Sequence, residues 1–547
     1  MQEQQEKIIK QDIDPEELES YSSEQVKCLQ DEYKGNLIEY VLNTYDKKVG
    51  RRSDLYLYFF FKGFELLNSK GSMVFISSNS WLDVDYGKYL QEALLTKAEL
   101  LYVIDNSAKR SFEESEINTV ISAIRKRSRS YEILSGETSF VVFSKPFEDV
   151  VKLTNMKKAL LRSNVDFRTI HVGNEPLNIS SQENPRVLTV SRKSLWKLGG
   201  GDIKEPLIKV NLDESKRSFI LSGNYSGDKW GKFLRGPDIL FRFLSNDKLV
   251  FLRKVADVEF GAHTHLDEFF MLDKQKAQKL KIEKKYLQKI IRGISSISKP
   301  IFDPKDLDQY LFVCRVTKKE LRKRGHTQAL KYINWGEKQT AKIRQQRKKK
   351  IRYPEVSGVK KNQPGWWSLG EKDSRAVKVF FLYAWSTYLR CPYSIKPIPV
   401  NATFHRVSPH KSYDPELIAA LLNCSTTFLQ VYSFGRWNLG LGVVKFEKKD
   451  LKEHFRIPDP NCIPDETRKD LIQTFRELGK RNWKSIFDEL GATSISKIDL
   501  KNVNKDRLTL DKIVFCDILG HDEKDLLALY RAIIRYAKQR IEKARSF

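Results

Sequence analysis

The sequence predicts an α/β chain. It opens with the back half of a doubly wound sheet, continues as an α+β region and ends in helices. Three observations carry this. Residues 54–127 read as helix, strand, helix, strand, loop and strand. From about Trp230 to Pro460 aromatic content stays high while glycine, proline and basic residues rise. Near the C-terminus Leu526, Tyr530, Ile533, Ala537 and Ile541 fall on one helical stripe.

Residues 1–50 are polar and helix-rich, with Asp14-Pro15 as a start signal and Lys47, Lys48, Arg51 and Arg52 clustered before the next helix. Leu55, Tyr58, Phe59 and Leu66 are at helical spacing, and Asn68 to Gly71 breaks the pattern. Met73 to Ser77 reads as a short buried strand. A helix over Tyr86 to Leu95, a strand over Leu100 to Ile104, a polar loop and a strand over Thr119 to Arg125 follow. The sequence predicts a connector over 151–229, an α+β domain over 230–460 and a helical region over 461–547.

Lysine and arginine exceed aspartate and glutamate by 97 to 70, a net charge of +27, which makes an anionic polymer the first partner to consider. Six scattered cysteines without C-x-x-C spacing fit a reducing cytoplasm and argue against structural zinc. No apolar run reaches ~18 residues, so nothing in the sequence predicts a membrane span.

The block from DLYLYFF through KGSMVFISSNSWL, DYGKYLQ and IDN..AKRSF....INTVISAI resembles adenine-specific DNA methyltransferases of the type IIG restriction-modification and related phage-defence class. It resembles the part that follows their catalytic Asn-Pro-Pro-Tyr tetrad. The resemblance implies a partial Rossmann-like methyltransferase half-domain over 1–150. It also implies that Phe112 stacks on a flipped-out adenine, with Arg110, Asn118 and Asn79 as further pocket residues. An enzyme that alkylates an exocyclic amino group must unstack the base, and an aromatic ring offsets part of that cost. The alternative for Phe112 is a ring that plugs the sheet end, and each polar residue could equally cap a strand. VADVEFGAHTHLDEFF, WWSL, NATFHRV and the stretch from LIAALLNC to GLGVVKF resemble the family's target-recognition domain, and the final helices resemble its terminal ones.

The family's glycine-rich turn for S-adenosylmethionine and its tetrad are missing: Asn184-Pro185 runs into Arg186, and Gly199-Gly200-Gly201 has no buried strand before it. The resemblance therefore implies a split enzyme. A partner subunit carrying the N-terminal half would bind most of the S-adenosylmethionine and cover the open edge of the sheet. Double-stranded DNA is the expected substrate, and a nuclease or other defence subunit could join the complex. The alternative is a non-catalytic DNA-binding specificity subunit.

Fifteen basic residues against two acidic ones lie between Arg315 and Arg352. Arg322, Lys323, Arg324, Arg344, Arg347, Lys348, Lys349, Lys350 and Arg352 are the candidate phosphate contacts, against a solvated helix face as the bland reading. Arg436 and Asn438, between Gly435 and Gly440, are candidate base readers, since these side chain types match guanine and adenine edges. His263, His265, Asp267 and Glu268 are neighbours in one loop and do not easily close a metal shell, so no metal is expected. Pro237-Asp238 with Glu283-Lys284-Lys285 could be pieces of a nuclease core, but such short matches arise by chance in so charged a chain.

Overall fold

The computed structural model describes residues 35–44, 49–50, 53–108, 112, 117–127, 133–147, 167–172, 175–180, 185–203, 221–222, 225–342, 350–436 and 443–545. The chain divides into two compact units, 1–245 and 246–547.

In the first unit α1 (Leu55–Leu66) starts where the Asp54 carboxylate accepts the Leu55 N–H. It is followed by β1 (Ser72–Ser78), α2 (Gly87–Thr96), β2 (Ala98–Asn106), β3 (Thr119–Lys126) and β4 (Glu137–Phe143). β5 (Phe167–Val172), β6 (Glu175–Ser180), β7 (Arg186–Ser191), α3 (Arg192–Leu198), α4 (Gly231–Arg235) and α5 (Asp238–Leu244) complete it. The seven strands form one sheet in the order β1-β3-β2-β4-β7-β6-β5.

This corrects the expected parallel arrangement. β3 lies between β1 and β2 and runs antiparallel to both, and β2–β4 is the one directly paired parallel couple in the seven-stranded order. The physical reason is the connection. β1 reaches β2 through a helix and keeps its direction, whereas the chain reverses between β2 and β3, which pair antiparallel. The stretch 151–229, expected as a connector, instead supplies β5, β6 and β7 to the same sheet.

Met73 and Phe75 point to α1, where the Phe60 and Phe75 rings are 4.8 Å apart edge to face. Trp81 meets Trp230 at 5.8 Å, and Trp230 meets Phe140 at 6.1 Å. Residues 225–235 thus belong to the core of this unit. Gln91 fastens them: its amide N–H groups donate to the carbonyls of Trp81 and Asp228 at 3.3 and 2.9 Å. Its oxygen accepts from the Tyr225 hydroxyl and the Asp228 N–H, both at 3.1 Å. Every polar group of a side chain only 1% exposed is therefore satisfied.

Arg192 works similarly, donating to the Leu100, Ser135 and Glu137 carbonyls where β2 bulges. Burial pulls its pKa down to about 10.

The second unit contains β8 (Ala256–Phe260), β9 (Met271–Asp273), β10 (Leu287–Lys289), β11 (Ile301–Phe302) and β12 (Gln309–Phe312). α6 (Lys318–Lys323), α7 (Thr327–Gly336), β13 (Thr340–Lys342) and β14 (Lys350–Arg352) follow, then β15 (Val377–Leu382), β16 (Tyr393–Ile398) and β17 (Phe404–Pro409). Next come α8 (Pro415–Leu422), α9 (Ser425–Phe434), α10 (Asp465–Leu478), α11 (Lys505–Asp511) and α12 (Glu523–Arg545). Its sheets include β8-β17-β15-β16-β11, β9-β12-β10 and the β13-β14 hairpin. No single helix among the described residues is long and apolar enough to cross a membrane.

His405, on β17, is fully buried and its Nε2 is 2.8 Å from the Phe446 carbonyl, so that nitrogen carries the proton. Burial depresses its pKa from 6.5 to about 4. Between those values the unfolded chain binds a proton that the folded one does not, so the contribution of His405 is complete above about pH 6.5 and declines as pH falls towards 4. A His405→Gln variant, which keeps a donor for Phe446, is expected to lose less stability than the wild type between pH 7 and pH 4.5, as read by urea unfolding. Gln91→Leu leaves the Tyr225 hydroxyl and the Asp228 N–H buried without a partner. At about 1–3 kcal/mol each, a loss of roughly 3 kcal/mol is expected in the same measurement.

Candidate functional site

Strand direction decides what meets at one end of the first sheet. β1 and β2 end there, and β3 begins there. Asn79 follows β1 and Asn118 precedes β3; the Asn79 N–H donates to the Asn118 carbonyl at 2.9 Å, extending the ladder by one rung. Both side chains are buried, at 8% and 7% exposure, and neither side-chain oxygen accepts a hydrogen bond. A buried acceptor left unpaired costs on the order of 1–3 kcal/mol, which a ligand N–H would recover.

Phe112 lies on the loop from β2 to β3 and is 49% exposed, so it is not a core plug. Arg110, expected beside it, lies outside the described residues.

The turn that carries Asn79 is held from below. Residues 79–82 form one 3-10 turn, capped by the Ser78 hydroxyl. A Cβ on Gly87 would collide with the Trp81 carbonyl, so the close approach of α2 to this turn requires glycine there. Asp83, just after the turn, pairs with Arg235 at 2.9 Å, both largely buried. Tyr56 and Tyr86, whose hydroxyls are 3.1 Å apart, stand beside it. Burial and the neighbouring Tyr86 push the Tyr56 pKa up. No sequence signal marks these two tyrosines, which are thirty residues apart and sit among ordinary helical aromatics.

The second unit gathers the basic stretch on α6, α7 and the β13-β14 hairpin. Arg322, Lys323, Arg324, Lys350 and Arg352 are all exposed. Arg324 pairs with Glu320 at 3.1 Å and Arg352 with Glu355 at 2.6 Å, which partly neutralises them. Arg344, Arg347, Lys348 and Lys349 lie outside the described residues, as does Asn438. Arg436 bridges Lys445 through its backbone and stands 3.9 Å from Glu447.

In the histidine loop, the Asp267 carboxylate accepts the Thr264 hydroxyl and Glu268 accepts the Tyr353 hydroxyl at 3.1 Å. Among the described residues no group of three His, Cys, Asp or Glu side chains could hold a metal. Glu283 caps α7, accepting the N–H groups of Gln328 and Ala329 at 3.0 and 2.9 Å, while Asp238 and Arg168, both within the first unit, pair with each other. These two acids therefore have structural partners.

Two family models match this chain. Residues 28–112 match the Eco57I restriction-modification methylase, and residues 234–490 match the C-terminal domain of the type II methyltransferase M.Eco57I. The chain carries Eco57I-type restriction-modification methylase domains. The first match covers β1, α2, β2 and Phe112, and the second covers the basic surface. A search of curated proteins found no match.

Among solved structures the chain is similar to the type IIG restriction endonuclease BpuSI, at 15% identity over 94% of this chain and 52% of that one, with a TM-score of 0.42. It is also similar to the type IIL restriction-modification enzyme MmeI in complex with DNA, at 12% identity over 92% and 55%, TM-score 0.48. The ATP-dependent type ISP enzyme LlaBIII bound to DNA follows at 13% identity over 94% and 35%, TM-score 0.29. The chain spans about half the length of the first two.

Methyltransferases of restriction-modification systems generally use S-adenosylmethionine. The described residues do not fit a complete pocket for it. The glycine after β1 serves helix packing, and Gly199 and Gly201 press on Tyr225 and Trp196. The unpaired side-chain oxygens of Asn79 and Asn118 at the sheet end are acceptors suited to an amino group.

Proposed function

We infer that this chain supplies the base pocket and the DNA-recognition part of an adenine-specific DNA methyltransferase in restriction-modification or phage defence. The observation that carries the reading is the pair of buried, unpartnered amide oxygens of Asn79 and Asn118 at the sheet end that also bears Phe112. A flipped adenine has an aromatic face for Phe112 and an exocyclic amino group for an amide oxygen. Duplex DNA is the substrate, and the second unit with its basic surface selects the site.

The methyl donor, S-adenosylmethionine, is bound mainly by a partner that also brings the Asn-Pro-Pro-Tyr tetrad. The free edge of β1 supports this: among the described residues its outer side pairs with no strand, and Val74 and Ile76 on it are 70% and 42% exposed. Apolar open edges invite strand addition, and a partner sheet would remove both the edge and the exposed surface.

Two outcomes follow. Methyl transfer from tritiated S-adenosylmethionine to DNA by the assembled pair is expected to fall roughly 5- to 150-fold in Phe112→Ala, because a stacked base is worth about 1–3 kcal/mol, and to recover in Phe112→Trp. Unchanged transfer in Phe112→Ala would leave a specificity subunit without a base pocket. Val74→Lys combined with Ile76→Glu is expected to abolish co-purification of the partner while leaving the melting temperature of this chain within a few degrees of wild type; retained association would remove the edge from the interface.

A further inference from the structure

We propose that α7 is the helix that reads DNA sequence, entering the major groove with Thr327, Lys331 and Asn334 towards the base edges. This rests on the DNA-recognition reading above and names its specificity-determining residues.

The local architecture is two short helices joined by a tight turn. α6 begins with a reciprocal cap in which the Thr317 hydroxyl accepts the Glu320 N–H and the Glu320 carboxylate accepts the Thr317 N–H. It ends at Arg324-Gly325-His326. Gly325 has φ +68° with open space around it, so backbone conformation, not crowding, requires glycine. Such a helix–turn–helix is a known way to present a second helix to a groove.

Inward, α7 is fixed. Tyr332 stacks on Phe269 at 4.8 Å and 5°, and its hydroxyl donates to the Phe269 carbonyl at 2.7 Å; Ala329 and Ile333 are buried. Outward, Thr327, Lys331 and Asn334 are exposed at i, i+4 and i+7, so they share one face. The helix contains no acidic residue. Glu337 just beyond it pairs with Lys318 at 2.6 Å, so that carboxylate is neutralised.

Two further features favour contact by the helix face. Glu283 occupies the amino end of α7, so that end cannot take a phosphate. The Asn334 oxygen accepts from Lys318 Nζ at 2.9 Å, which orients the amide and leaves its N–H groups and the oxygen's second lone pair for a base edge. Asparagine pairs with adenine and lysine with guanine in the major groove, which is about 12 Å wide and admits a helix about 10–12 Å across. Arg322 and Lys323 on α6 and Lys350 on the hairpin flank α7 as backbone contacts. Trp335 beside the hairpin, stacked on Tyr332 at 5.4 Å, braces the exposed end.

The test is selection of bound duplexes from a randomised pool by the full chain, together with its partner where one co-purifies, followed by titrations at several salt concentrations. Asn334→Ala and Lys331→Ala are expected to relax the preference at one position each. They should lower affinity for the selected duplex roughly 5- to 150-fold while leaving random-sequence binding and the salt slope unchanged. Arg322→Ala with Lys323→Ala is expected to weaken all duplexes alike and to reduce the salt slope by about two. An intact preference in both α7 variants would overturn the role of α7 while the recognition reading stands. A wild-type chain that binds no duplex, or binds only RNA, would overturn both.

Discussion

The antiparallel insertion of β3 between β1 and β2 is the constraint on which the first unit depends. Because β3 runs against its neighbours, the residue after β1 and the residue before β3 are paired across one rung, and Asn79 and Asn118 face a common end. A parallel β3 would begin at the opposite end and carry Asn118 with it. Phe112 lies between β2 and β3, on the stretch that reverses the chain at that end of the sheet. Polar groups left unpaired there are a cost that the surrounding core offsets. Trp81 and Trp230 lie immediately behind, and Gln91 ties their segments together.

The elements of residues 54–127 were legible in sequence because each carries a local period, and the structure extends them by only a few residues. β1 runs from Ser72 to Ser78 where Met73 to Ser77 was expected, and β2 from Ala98 to Asn106 where Leu100 to Ile104 was expected. Strand order was not legible, since pairing is a contact between distant residues that no window contains. Short strands were expected between Asp149 and Gly231, but that those at 167–191 join the sheet was not legible, for a related reason. They are six residues long, and β5 exposes Arg168, Thr169 and His171, so their alternation is weak beside the loops that separate them. Among the candidate site residues, amino-acid type suggested Asn79 and Asn118, but only burial distinguishes an unpaired amide from an ordinary strand cap.

Charge was visible as a run and invisible as a surface. The described basic residues of this run are distributed over and beside two helices and a hairpin, and pairing then divides them. Arg324 and Arg352 each answer a glutamate, so a part of the formal charge is spent within the protein. Arg322 and Lys323 point to water, where a phosphate would displace counterions and make binding depend on salt. The sequence treats all of these residues alike because a glutamate three or four positions away says nothing about geometry until the helix is built.

The C-terminal helices show the opposite use of charge. Arg507 is buried with Asp511 and Glu489, and Arg481 holds Glu489 and Asp506 at 2.7 and 2.5 Å. Asp511 also accepts the Ser425 hydroxyl at 2.6 Å and the Tyr530 hydroxyl at 3.0 Å, so α9, α11 and α12 meet at one carboxylate. Ion pairs of this kind add little net stability against an apolar core of equal volume, because desolvation consumes much of the Coulomb gain. Their effect is on register: a helix that slid by one turn would strand a charge without a partner. The charge buried in these helices therefore fixes where α9 sits in the second unit. The charge left on α6 and the hairpin stays available to a polyanion.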